Sequence, residues 1–251
     1  MSKTLIAANP DFRREIPNEP YLNISEMFSD TIQGENFMGD PAMFIRLMDC
    51  TLNCSWCDSV SVWRYGNPYT ITEVLDILEE GGTVDKLKDG QHMVLTGGSP
   101  LLQQSKLLIL LDEFVKRFEF TPIVEIENEC VLPPLPKLVK YISIWNNSPK
   151  LQNSGNKLRK RYKPEVIKEV SSFENSWFKF VVTCDEDWDE INETFLEPGL
   201  IKKSQIVIMP EGENREELEE TRSMAADMAI KHNVKFSDRL HVILWDMKTG
   251  V

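Results

Sequence analysis

Residues 42–59 read AMFIRLMDCTLNCSWCDS. The first seven form an apolar run interrupted only by Arg46, with the length and character of a buried strand. Directly after it, Cys50, Cys54 and Cys57 stand in a C-x3-C-x2-C arrangement, and the whole chain has only five cysteines. Three thiols this close can converge on one inorganic centre without a long loop having to be ordered. A [4Fe-4S] cluster ordinarily takes four cysteine thiolates. Three leave one iron with an open coordination position, which is where a metal site does chemistry. The rival metal reading is a structural Cys3His zinc site drawing on His92, His232 or His241. Structural zinc ligands usually come as two close pairs, whereas these cysteines form a single trio.

Outward from this stretch, β-rich runs alternate with amphipathic helical ones. Residues 71–80 place Ile71, Val74, Leu75 and Leu78 on one helical face. HMVLT reads as a second strand, followed by Gly97-Gly98 and a helix over about 103–118. PIVEIE, YISIW, WFKFVVT, SQIVIMP and RLHVILW read as further strands, with DEDWDEINETFL and ENREELEETRSMAADMAIKHN as helices between the last three. Strand and helix in repeated alternation predict parallel βαβ units with right-handed crossovers, an α/β fold whose ligands gather at the carboxyl ends of the strands. The cysteines follow the first strand, Gly97-Gly98 the second, and Ser148-Pro149-Lys150 a later one. Residues 1–20 read as a polar N-terminal arm and 146–163 as a mobile basic loop. A single domain is expected over 1–251.

Composition narrows the partners. With 251 residues, 41% apolar and 27% charged, the chain is long enough to bury a large core. A net charge of -12 opposes binding to a phosphate backbone, so nucleic acid is not the expected partner. No apolar run reaches the roughly 18 residues of a membrane span, and the first twenty residues lack a signal-peptide pattern, so a cytoplasmic protein is expected. The odd cysteine count argues against a disulfide framework, leaving Cys130 and Cys184 as ordinary thiols.

C-x3-C-x2-C with an aromatic residue, Trp56, before the last cysteine resembles the signature of the radical S-adenosylmethionine (SAM) superfamily. The resemblance implies a partial (β/α)6-type barrel in which Cys50, Cys54 and Cys57 carry a [4Fe-4S] cluster whose open iron is chelated by SAM. It also implies SAM contacts from Trp56, Cys57, Asp58, Gly98, Ser148, Pro149 and Lys150. Gly98 lies in TGGSP, similar to the family's glycine-rich strand end, where the family usually has Glu in place of Ser99.

Within the superfamily, TIQGE, the run G-x-P-A-x-F-I-R-L into the first cysteine, CSWCDS and the ending LHVILWDMKTGV closely resemble 7-carboxy-7-deazaguanine synthases. That family converts 6-carboxy-5,6,7,8-tetrahydropterin to 7-carboxy-7-deazaguanine with loss of ammonia, using SAM catalytically and requiring Mg2+. The resemblance implies a pterin site from Ile32, Gln33, Gly34, Arg46, Thr96 and the terminal carboxylate of Val251, with the Ser59 hydroxyl on Mg2+. It further implies a homodimer and an electron donor such as flavodoxin. Arg46 suits its role, because a guanidinium among Phe44, Ile45 and Leu47 needs a partner and grips a carboxylate with two hydrogen bonds. Where relatives carry an E-T-x-G run, this chain has Glu125-Ile126-Glu127-Asn128, and Glu125 is the residue carried over. A radical SAM activating enzyme for a protein partner and a non-enzymatic zinc-binding module are the competing readings.

Overall fold

The computed structural model describes residues 2–11, 14–34 and 36–250, and in it the apolar runs hydrogen-bond into one sheet. Its strands are β1 (Lys3–Ala7), β2 (Tyr21–Ile32), β3 (Pro41–Leu47), β4 (Asn67–Thr70), β5 (His92–Gly97), β6 (Ile123–Asn128), β7 (Ile144–Asn147), β8 (Ser176–Val182), β9 (Ile206–Pro210) and β10 (Lys235–Phe236). The order is β1-β2-β3-β5-β6-β7-β8-β9-β10, with β4 paired to β2. From β3 to β10 every pairing is parallel, while β1, β2 and β4 add an antiparallel border. This is the expected α/β fold, a partial barrel that no pairing closes among the described residues.

Strand periodicity gives the sheet two unlike faces. Met43, Ile45 and Leu47 of β3, Met93 and Leu95 of β5, Val124 and Ile126 of β6, and Phe178 and Phe180 of β8 belong to one buried apolar cluster. The helix Ile71–Glu80 adds Ile71, Val74, Leu75 and Leu78 to that cluster, the face predicted for it. A capping box fixes its start, with Thr70 Oγ1 accepting from Glu73 N and Thr70 N donating to Glu73 Oε2. Fully burying each such side chain contributes about 1.5–3 kcal/mol. Several of the alternate positions carry polar groups. Arg46 pairs in register with Thr96 across β3 and β5, and Glu127 with Asn146 across β6 and β7.

Several expectations need correction. Residues 1–20 are not simply an arm, since they contain β1, which pairs antiparallel with β2. β2 itself does not announce itself in the sequence. Its buried residues include Ser25, Ser29 and Thr31, and its register with β3 shifts twice, so the apolar alternation is broken. RLHVILW is not a strand, because Leu240–Trp245 is a helix. Phe236 already occupies the sheet edge, and Arg215 donates to the carbonyls of Ile243 and Leu244, holding the segment against the start of the helix Arg215–His232. Tertiary contacts override β-propensity here. Residues 146–163 are not a free loop, since Arg161 is buried and Asn153 and Asn156 are hydrogen-bonded to the cysteine segment. No helix among the described residues is long and apolar enough to cross a membrane.

Candidate active site

The carboxyl ends of the parallel strands open into a cavity of ≈ 370 Å³ lined by all three clustered cysteines. None of the three is in a disulfide, and each sulfur accepts from an N–H donor. Leu52 N lies 3.4 Å from Cys50 Sγ, Asn156 Nδ2 3.3 Å from Cys54 Sγ, and Trp63 Nε1 3.5 Å from Cys57 Sγ. Ser99 Oγ adds a fourth bond, to Cys50 Sγ at 3.5 Å. Burial pushes the thiols of Cys50 and Cys54 above the ordinary value, although these donors and Lys150 favour the thiolate. Thiols raised by burial ionise when a cation sits on the sulfurs.

Glycine at 97 and 98 answers to the cysteine segment itself. A Cβ on Gly98 would lie 2.3 Å from Cys50 Cβ and 2.4 Å from Asp49 O, and one on Gly97 2.4 Å from Leu47 O. Thus the strand end is bare because the cluster loop packs on it. Ser99 completes the contact by donating its N–H to Asp49 O and accepting Thr51 N at 2.9 Å.

The structure gathers the predicted residues around this cavity. Trp56, Asp58, Ser59, Gly98, Ser148 and Lys150 line it, as do Ile32, Gln33, Gly34 and Arg46. Lys150 Nζ donates to Ser148 Oγ at 2.7 Å and lies 5.7 Å from the Trp56 ring centroid, with Pro149 between its two neighbours in the chain. Ser59 donates to Asp58 Oδ1 at 2.9 Å, and Asp58 is ion-paired to Arg239. Arg46 Nε lies 2.8 Å from Glu26 Oε1, the residue opposite it on β2. Thr96 is fully buried and does not line the cavity, its Oγ1 donating to Glu127, which does. Gln33 is engaged within the protein, with Nε2 on Glu125 Oε2 at 2.7 Å and Oε1 accepting Gly34 N. Residues 246–250 line the cavity, and Ser2 Oγ donates to Gly250 O at 2.6 Å. Val251 lies outside the described residues.

Other groups were not read from the sequence. Glu125, the carried-over acid, is buried away in a network with His92 Nδ1 at 2.5 Å and Asn146 Nδ2 at 2.6 Å, while Glu127 lines the cavity. Both lie on one face of β6, so alternation cannot choose between them. Nearness to the carboxyl end of the strand does choose, and that signal was present. Lys179, Arg239 and His241 also line the cavity. Burial pushes Lys179 down to about 7, and burial together with Arg239 and Lys179 pushes His241 down to about 3. Asn153 and Asn156 went unread because polar residues in a basic stretch carry no periodic signal.

These residues fit a cluster better than a zinc ion. Each thiolate of an iron–sulfur cube holds a different iron, whereas zinc needs its ligands at one point. Among the described residues no three His, Cys, Asp or Glu side chains gather so. Two of the three histidines have other contacts, His92 with Glu125 and His232 stacked on Trp188 at 3.8 Å, while His241 lines the cavity with its Nε2 3.9 Å from Asp58 Oδ2. An open parallel sheet with three such thiols at its strand ends defines an iron–sulfur enzyme of the radical SAM class.

A family model described as a 4Fe-4S single cluster domain matches residues 38–127. The 7-carboxy-7-deazaguanine synthase of Pyrobaculum aerophilum is 30% identical over 92% of this chain and 98% of its own length. That of Halobacterium salinarum is 29% identical over 90% and 91%. The chain belongs to the 7-carboxy-7-deazaguanine synthase family. In fold it is similar to the crystal structure of QueE from Escherichia coli, with a TM-score of 0.63 at 22% identity over 87% of this chain and 93% of that one.

Proposed function

We propose that the chain converts 6-carboxy-5,6,7,8-tetrahydropterin to 7-carboxy-7-deazaguanine with loss of ammonia. The observation that carries this is the opening of the three thiols into the same cavity as Arg46 and Glu127. Cys50, Cys54 and Cys57 would hold the [4Fe-4S] cluster, with Trp56, Asp58, Gly98, Ser148, Pro149 and Lys150 around SAM. Bound there, the pair supplies a one-electron cleavage of SAM that yields a 5'-deoxyadenosyl radical.

The protein's own part is to bind, orient and exclude water. Arg46 spends only Nε on Glu26, and its terminal fork suits the pterin carboxylate. Glu127, fixed by the Thr96 hydroxyl, is the acid placed to hold or pass a proton at the substrate. Ile32, Gln33 and Gly34 shape the pterin pocket on family resemblance, the main chain of Gln33 being bonded to Asp40 O and Gly39 N and the N–H of Gly34 to Gln33 Oε1. Residues 246–250 line the cavity, and family resemblance supports a contact from the terminal carboxylate of Val251 to the pterin edge. Ser59, which caps no backbone N–H of its helix, offers its hydroxyl to Mg2+, an ion that takes few protein ligands. One domain over 1–251, a homodimer, a flavodoxin-type donor and a cytoplasmic setting complete the proposal on family resemblance. The test is anaerobic cluster assembly followed by SAM, Mg2+, reductant and the pterin, with the product sought by mass. Product formation without any protein partner also separates this reading from that of an activating enzyme.

A further inference from the structure

Residues 246–250 line the cavity, yet the helix that delivers them is weakly seated. Leu240–Trp245 is 6 residues long and buries only Val242, while Leu244 and the following Met247 stand exposed. Among the described residues no side chain caps its start. A helix this short does not hold itself, so its ends must be tied from outside. The ion pair of Arg239 with Asp58 ties the start. The end is tied by Arg215, the exposed first residue of the helix Arg215–His232, which lies outside the cavity lining.

Arg215 Nε donates to Ile243 O at 3.0 Å, its terminal nitrogen to Leu244 O at 2.8 Å, and its backbone N–H to Asp246 Oδ1 at 3.1 Å. The two carbonyls belong to the last turn, whose acceptors lack intrahelical partners. Asp246 is where the chain leaves the helix, at φ 58° and ψ -135°, a backbone conformation that favours glycine over a residue with a Cβ. At the far end of the tail, Gly250 lies between Ser2 and Glu26. Ser2 Oγ donates to its carbonyl, and a Cβ on it would stand 3.7 Å from Oε2 of Glu26, the partner of Arg46. We infer that Arg215 is a positioning residue for the pterin, fixing the turn at Asp246 and so keeping residues 246–250 seated beside Glu26 and Arg46. The inference rests on the functional reading above, which places the pterin against Arg46 and this tail. Loss of Arg215 lowers the fraction of molecules with a seated tail, and apparent affinity falls with the competent fraction. Saturating pterin restores the seated state, so the penalty falls on KM and spares kcat.

The full chain, with its cluster assembled anaerobically, is compared as wild type, Arg215→Ala, Arg215→Lys, a chain ending at Asp246, and that truncation combined with Arg215→Ala. Hydrogen exchange over residues 241–250, iron content, the SAM dissociation constant, and the pterin dissociation constant, KM and kcat are measured. In Arg215→Ala, exchange over 241–246 and the pterin KM should both rise roughly fivefold to tenfold, the scale of two modest hydrogen bonds. Iron content, SAM affinity and kcat should hold. Arg215→Lys keeps one donor and should fall between. In the truncated chain, which itself binds the pterin more weakly, Arg215→Ala should add nothing to the pterin dissociation constant, because the tail through which it acts is gone. Unchanged exchange, or faster exchange with unchanged KM, overturns the inference. A loss of pterin affinity that persists at full size in the truncated chain also overturns it, leaving Arg215 as a prop between two helices. A wild type that holds its cluster and SAM but neither binds nor converts the pterin sinks the functional reading itself, whatever the exchange rates.

Discussion

The two faces of the sheet are built from the same strands, and adjacent residues have opposite tasks. On β3, Ile45 and Leu47 are fully buried in the apolar cluster, and Arg46 between them lines the cavity. On β8, Phe178 and Phe180 are core, and Lys179 faces the site. One face supplies burial energy, while the other spends some of it on groups that are expensive to bury unless partnered. Stability and activity should therefore separate by the parity of a position along its strand.

The largest effect is expected at the cysteines. Alanine at Cys50, Cys54 or Cys57 should abolish cluster absorbance, iron binding and SAM cleavage, whereas substitution at Cys184 should spare all three. Retained iron in any of the first three variants would break the assignment. Next, Phe178→Ala on the core face should cost about 3–5 kcal/mol in denaturant unfolding. Arg46→Lys, on the cavity face, keeps the charge and loses the fork. It should change stability by less than about 1 kcal/mol while the pterin KM rises roughly tenfold. If Arg46→Lys unfolds the protein and Phe178→Ala does not, the division between faces is wrong.

A pH effect sharpens the comparison. The hydrogen bond from Glu125 raises His92 above its ordinary value, so the folded state favours the imidazolium. That contribution is complete below about pH 6.5 and is lost as pH rises through the raised value. The stability difference between wild type and His92→Gln should shrink over that window, and a difference that grows with pH would refute the pairing. The smallest effect belongs to Ser59→Ala. It should raise the Mg2+ concentration needed for half-maximal turnover with the cluster unaltered, because water replaces one hydroxyl ligand.

The sequence announces whatever has a period or a fixed spacing. β3, β5, β6, β8 and β9 are apolar on the core face and are read directly, as is the cysteine trio. β2 is hidden because its serines and threonine are buried beside polar neighbours. The helix Leu240–Trp245 is hidden because its fate is decided by Arg215, remote in sequence. Lys179 and Asn156 are hidden for the same reason, since each acquires its place from strands or loops that only folding brings together.

The central claim is that three thiols at the mouth of the polar face hold a cluster with one open iron for SAM. Iron and sulfide analysis of anaerobically assembled protein, with EPR of the reduced state before and after SAM, tests it most directly. The account predicts about four irons and four sulfides per chain and a spectrum that changes when SAM is added. A colourless protein carrying one zinc, or a cluster spectrum indifferent to SAM, would contradict it.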